Sequence, residues 1–268
     1  MRLGLGSYSF RWSIGHKGLN PPTPMRPIEL IDIAVQHDLS VVQYADNMPL
    51  DNLSTVELDQ LFHKAEQSGV DIELGVQSFN AAQVVQYISI SQRLNAKILR
   101  VALDGPDAEK PLDVLAAEFR ALLPHLEAAN VRLAIENHFN YPAPRMVQLL
   151  ELIDNPMIGV CLDVANSICA GEWPMETVNT LADYTINLHL KDYVIEPDPY
   201  GAGFVIHGCP LGQGRSDCSA ILDRLPKTDM SVIMEHWLPR SENMEDARAN
   251  EHVWLAQSLD YARKSLGL

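Results

Sequence analysis

Basic residues are scarce in this chain: 20 Lys and Arg stand against 35 Asp and Glu, a formal net charge of −15 over 268 residues. That balance opposes non-specific binding to nucleic acid or to an anionic membrane. It leaves an anionic substrate open, because a bound cation reverses the local field. Cysteine is equally sparse. Cys161, Cys169, Cys209 and Cys218 are the whole set, and none forms a C-x-x-C pair. A disulfide framework is therefore not expected, and a reducing compartment is the default. No apolar run approaches the roughly 18 residues of a membrane span, and the N-terminal MRLGLGSYSFRW has no signal-length apolar stretch. A cytoplasmic protein without a membrane partner is the expectation. A G-x-G-x-x-G fingerprint is missing too: the glycines of GLGSYS lie inside a strand-like run, which speaks against a dinucleotide fold.

What is present is a large supply of core. Hydrophobic residues make up 47% of the chain and charged residues 21%, so disorder is not expected. The pattern alternates strand and helix. Apolar strand-like runs fall at 3–8, 40–44, 71–77, 97–103, 131–137, 158–163, 185–190 and 231–237. Helical periodicity falls at 28–38, 55–69, 81–95, 111–129, 144–153, 175–182, 217–225 and 245–264. Ser54 is a plausible cap, and Gly69 ends its helix. Two stretches stand outside this pattern: a Gly- and Pro-rich loop at 10–27, and a long segment at 191–216. Eight strand–helix units in a chain of this size predict a parallel sheet closed as a single (β/α)8 TIM barrel domain over 1–268.

Four strand ends carry the chemistry. LAIEN (133–137), GVCLD (159–163), INLHL (186–190) and SVIMEHW (231–237) close on Glu136, Asp163, His189 and Glu235. Taken singly, such a residue reads as a helix cap or an ion-pair partner. Four of them on four successive strands of one barrel share a rim, where active sites of this architecture gather. Burying them separately is costly, and a shared divalent cation resolves the cost. Oxygen ligands with one nitrogen suit Mn²⁺, Mg²⁺, Co²⁺ or Zn²⁺. Such an ion stabilises the enolate of a sugar-derived hydroxy ketone or keto acid, while carboxylates move the proton. Glu136 and Glu235 are the acid/base candidates. Lys191 is a third catalytic candidate, for a carboxylate or an enolate, with an ordinary ion pair as its plain alternative. His138, Asn166, Arg11, Trp12, His207 and Arg215 are the candidate substrate contacts. Glu73, a carboxylate inside a strand, is expected to be structural, bonded to a polar neighbour, with support of the site from below as its alternative.

These motifs, IENH, CLDVAN, LHLKD, the PLGQG turn and IMEHW, resemble those of the xylose isomerase-like TIM-barrel superfamily of sugar isomerases and epimerases, along essentially the whole chain. The resemblance implies that Glu136, Asp163, His189 and Glu235 bind one divalent metal, with the two glutamates as acid and base. It departs from the epimerases at Asn166, where they often carry His, and at Lys191, where Arg is common. The N-terminal stretch is similar to a subgroup near sugar-acid catabolism, one type of which decarboxylates 3-oxo-isoapionate. The expected function is thus a metal-dependent isomerase or epimerase of a small sugar. A metal-dependent lyase, decarboxylating or dehydrating a β-keto sugar acid, is the alternative, and a non-catalytic sugar-binding barrel the third reading. Pairing of barrels through their loops into a homo-oligomer is left open.

Overall fold

The computed structural model describes residues 1–268. Eight parallel strands close into a barrel: β1 (Arg2–Gly6), β2 (Val41–Tyr44), β3 (Asp71–Val76), β4 (Ile98–Ala102), β5 (Arg132–Glu136), β6 (Ile158–Asp163), β7 (Thr185–Leu190) and β10 (Ser231–Met234). Their order around the barrel is β1-β10-β7-β6-β5-β4-β3-β2. Helices cover the outside: α2 (Pro27–Gln36), α3 (Thr55–Ser68), α4 (Ala81–Arg93), the single turn α5 (Pro106–Glu109), α6 (Leu112–Ala129), α7 (Ala143–Ile153), α8 (Pro174–Leu181), α9 (Cys218–Arg224) and α10 (Met244–Tyr261). The strands are buried on both faces, as expected where a sheet is wrapped by helices. The (β/α)8 expectation is therefore met.

Local chemistry sets the element ends. Ser54 accepts from Glu57 N–H while the Glu57 side chain returns to Ser54, and Gly69 closes α3 in the left-handed region at φ 67°. Pro27 opens α2 at a position where a missing N–H costs nothing.

Three expectations are corrected. The first strand stops at Gly6 rather than residue 8, because the Ser7 hydroxyl bonds to Asn47 (2.6 Å) and to Ala45 N–H (2.9 Å), and this turns the chain into a short 3-10 segment. The loop expected at 10–27 begins with one helical turn, α1 (Arg11–Ile14), fastened by Glu251 of α10. The segment 191–216 holds an antiparallel hairpin, β8 (Asp192–Pro197) and β9 (Phe204–Cys209). Asp192 organises the turn that follows, accepting N–H bonds from Tyr193, Gly212, Gly214 and Ser216. Gly214 is required there, since a Cβ would lie 2.4 Å from the Asp192 carboxylate.

Candidate active site

The parallel strands bring their C-terminal ends to one rim. Glu136 is the last residue of β5, Asp163 the last of β6, His189 the fifth of β7, and Glu235 follows β10 directly. All four are buried. His189 Nδ1 lies 3.1 Å from Glu136, 3.5 Å from Glu235 and 3.8 Å from Asp163. The structure thus gathers the four strand-end residues around one point.

Asp163 and Glu136 are held in place by groups just beyond the strand ends. Asn137 pins the end of β6: its amide oxygen accepts Asp163 N–H at 2.7 Å, and its nitrogen donates to Asp163 C=O at 2.8 Å. Asp163 Oδ1 is taken by the N–H groups of Ala165 and Asn166, both at 2.9 Å, so Oδ2 is left for the site. Glu136 Oε1 accepts from Asn166 Nδ2 at 3.2 Å.

Two cations complete the centre. Lys191, two residues beyond His189 and thus on the same strand face, places Nζ 2.6 Å from Asp163 Oδ2 and 2.9 Å from Glu235 Oε2. Its partners are these carboxylates, and Asp192 is instead committed to its turn. Arg100, from β4, places Nη2 2.5 Å from Glu136 Oε2. These pairs dominate the electrostatics. Burial by itself would raise the Glu136 carboxyl, but Arg100 and His189 outweigh it and hold the group well below the usual carboxylate range. Burial also acts against ionised Glu235, and His189 with Lys191 reverses the effect, so its pKa falls. Burial would depress the Lys191 ammonium, yet Asp163 and Glu235 carry its pKa above the ordinary lysine value.

A cavity of about 570 Å³ opens above this centre. Glu136, Lys191, Glu235 and Arg100 face it from below, and His138, Asn166 and Arg11 border it. Lys17, Asp46, Asp104 and Trp237 are among the other residues that line it. His138 Nδ1 stands 3.3 Å from Asp104. Three expected contacts lie elsewhere. Trp12 is buried against Leu238 and Ala247, its indole N–H donating to Leu238 C=O at 3.1 Å; it is a packing residue beneath the N-terminal turn. His207 sits on the hairpin with Nε2 2.9 Å from Glu196. Arg215 is exposed on the turn after β9, where its backbone bonds to Tyr193. Residues that the strand-end motifs do not flag are Arg100, Gln43, Tyr8 and Asp46. Gln43 and Arg100 had a signal, a polar side chain inside a strand buried on both faces.

The donor set can hold a divalent cation. Glu136, Asp163 and His189 each offer an atom within 4.8 Å of the others, and Glu235 Oε1 is buried with no partner. Asp163 and Glu235 would be shared between Lys191 and a divalent ion held there.

Residues 57–264 match the xylose isomerase-like TIM barrel family. The chain belongs to that family. Along 263 residues, 97% of this chain and 94% of the relative, it is 27% identical to 3-oxo-isoapionate decarboxylase of Pectobacterium atrosepticum. Among solved structures it is similar to D-psicose 3-epimerase with D-tagatose from Clostridium cellulolyticum H10, with a TM-score of 0.74, 15% identity and 99% of each chain covered. It is also similar to a xylose isomerase-like TIM barrel protein of Mycobacterium smegmatis in complex with magnesium, with a TM-score of 0.69, 14% identity and 97% of each chain covered. At these identities the two structures speak for the fold. The relative in sequence is thus a decarboxylase, while the epimerase and the magnesium complex share the fold. No helix of this chain is long and apolar enough to cross a membrane.

Proposed function

We propose that residues 1–268 form one barrel domain that acts as a lyase, releasing CO₂ from a small sugar-derived β-keto acid. The observation that carries this reading is the clamping of both acid/base candidates: Arg100 lies 2.5 Å from Glu136, and Lys191 lies 2.9 Å from Glu235. A base that removes a proton from carbon works best with a pKa near the operating pH. Glu136 and Glu235 are both held low instead. Decarboxylation needs no such base. The bond from the carboxyl carbon to the carbon beside the ketone breaks, CO₂ leaves, and the electron pair becomes an enolate. A proton then adds to that carbon and the ketone re-forms. The chain-long similarity to a decarboxylase supports the same reading.

The residues divide this work. Lys191 presents a buried, fixed ammonium at the cavity floor, where an enolate oxygen would gain charge. Arg11 and Lys17 offer positive charge at the mouth for the substrate carboxylate, and Asp46 and Asp104 accept from its hydroxyls. His138, which borders the cavity, would return the proton. Glu136, Asp163, His189 and Glu235 would hold the divalent ion, whose Lewis acidity adds to stabilisation of the enolate.

A second reading, an isomerase or epimerase, keeps one observation on its side: Glu136 and Glu235 border the same cavity. A proton and carbon NMR time course in D₂O separates the two. The protein would be loaded with Mg²⁺ and given β-keto sugar acids, ketoses and hydroxypyruvate. Loss of a labelled carboxyl carbon, with deuterium appearing on the carbon that bore it, is the expected result. Deuterium entering with every carbon retained would overturn the lyase reading in favour of the isomerase.

A further inference from the structure

His189 is approached from both sides. Its Nδ1 faces the carboxylates, and its Nε2 faces down the barrel axis, 2.7 Å from Gln43 Oε1. Gln43 belongs to a polar network inside the barrel. Gln43 Nε2 donates to Glu73 Oε2 at 3.0 Å and to Asn187 Oδ1 at 3.1 Å. Asn187 Nδ2 donates to the same Glu73 oxygen at 2.9 Å and to Ser231 Oγ at 2.8 Å. Glu73 Oε1 pairs with the Ser231 hydroxyl. The four residues come from β2, β3, β7 and β10, and all are buried.

The orientation of every group follows from this network. Glu73 Oε2 is an acceptor whether or not the other oxygen carries a proton, so the amide nitrogens of Gln43 and Asn187 must turn toward it. A flipped Gln43 would set its oxygen against Glu73 Oε2 and Asn187 Oδ1, with no proton between them. The Gln43 oxygen is therefore fixed toward His189, and Nε2 must carry the hydrogen. Nδ1 is the atom left to meet the carboxylates or a cation.

We propose that Gln43, oriented by Glu73 and Asn187, is a positioning residue that keeps His189 protonated at Nε2 and presents Nδ1 to the carboxylate cluster. A change at Glu73, on the far side of Gln43 from His189, thereby reaches the active centre through one amide. This rests on His189 belonging to the centre described above. Partners that fix a ligand histidine in this way commonly contribute 10–100-fold in metal affinity.

The test is long-range proton–nitrogen NMR of protein carrying ¹⁵N-histidine, with the His189 signals assigned by their loss in His189→Gln. In metal-free protein the His189 Nε2 should be protonated at every pH at which the chain is folded. Zn²⁺ should then move Nδ1 and leave Nε2 in place. Gln43→Leu and Glu73→Leu should lose the fixed Nε2 proton and weaken Zn²⁺ binding by about 10–100-fold. Glu73→Gln keeps an acceptor oxygen for Gln43 and should restore both properties. A wild-type spectrum with unprotonated Nε2, or Zn²⁺ moving Nε2, overturns the proposal even if the leucine variants do not fold. An Nε2-protonated spectrum with no Zn²⁺ response upholds the positioning role and sinks the metal reading alone.

Discussion

Arg100 and Glu136 form a buried ion pair across neighbouring strands, guanidinium to carboxylate at 2.5 Å, with Gly75 leaving room for the arginine stem. Removing one partner of such a pair strands the other charge in the interior. Arg100→Met should lower stability by about 3–5 kcal/mol in urea unfolding. Adding Glu136→Gln should recover part of that loss. If the single variant unfolds at the wild-type urea concentration, the pair does not hold the carboxylate, and the argument against Glu136 as a base fails with it.

Lys191 is the residue on which the lyase reading turns. Lys191→Met removes a preorganised charge where the enolate would form, and CO₂ release should fall by roughly 10²–10³-fold. The same change frees Asp163 and Glu235 from the ammonium, so Mn²⁺ should bind more tightly in calorimetry. Weaker Mn²⁺ binding in the variant would mean that Lys191 and the ion do not compete for those carboxylates.

How much of this was legible beforehand follows from what each residue does. Glu136, Asp163 and His189 break the apolar pattern at the ends of long strand runs, and the repeat of strand and helix puts those ends on one rim. Gln43 and Arg100 break the pattern inside strands, where a polar residue signals a buried partner without saying which one. The partner comes from barrel closure, which sets Gln43 of β2 beside Asn187 of β7. Trp12, His207 and Arg215 lie in segments that follow strand ends, but proximity along the chain does not give direction. Trp12 turns inward to fill space against Leu238. The hairpin carries His207 away, although YVIEP and FVIHG around a Gly-rich turn are ordinary hairpin signals.

Glu251 gives the protein a pH dependence. It is fully buried on α10 and accepts from Trp12 N–H, Ser13 N–H and the Ser13 hydroxyl. Burial outweighs those bonds and pushes the carboxyl up to about 7. A group whose folded pKa is raised lends stability that is complete below its unfolded pKa and lost as pH rises through the folded one. Stability should therefore fall between about pH 4.5 and 7, by up to roughly 3 kcal/mol from this residue. Glu251→Gln should flatten that slope in melts recorded across the range. An unchanged slope would assign the dependence to other groups.

Asp192 connects the hairpin to the active centre. Its two oxygens take four N–H groups, from Tyr193 (2.8 Å), Ser216 (2.8 Å), Gly214 (2.9 Å) and Gly212 (3.0 Å). Ser216 in turn donates its hydroxyl to the carbonyl of Lys191 at 2.9 Å. The turn is thus a brace for the backbone that carries the ammonium. Asp192→Ala should cost at least about 2 kcal/mol, because hydrogen bonds to a charged acceptor are the stronger kind. It should also speed amide exchange across 210–216 and lower turnover with little change in substrate affinity, since no atom of Asp192 borders the cavity. Asp192→Asn keeps one acceptor oxygen and should fall between the two. Wild-type exchange in the alanine variant would show that the brace lies elsewhere. Fast exchange with undiminished turnover would show that Lys191 keeps its place between Asp163 and Glu235 through those ion pairs alone.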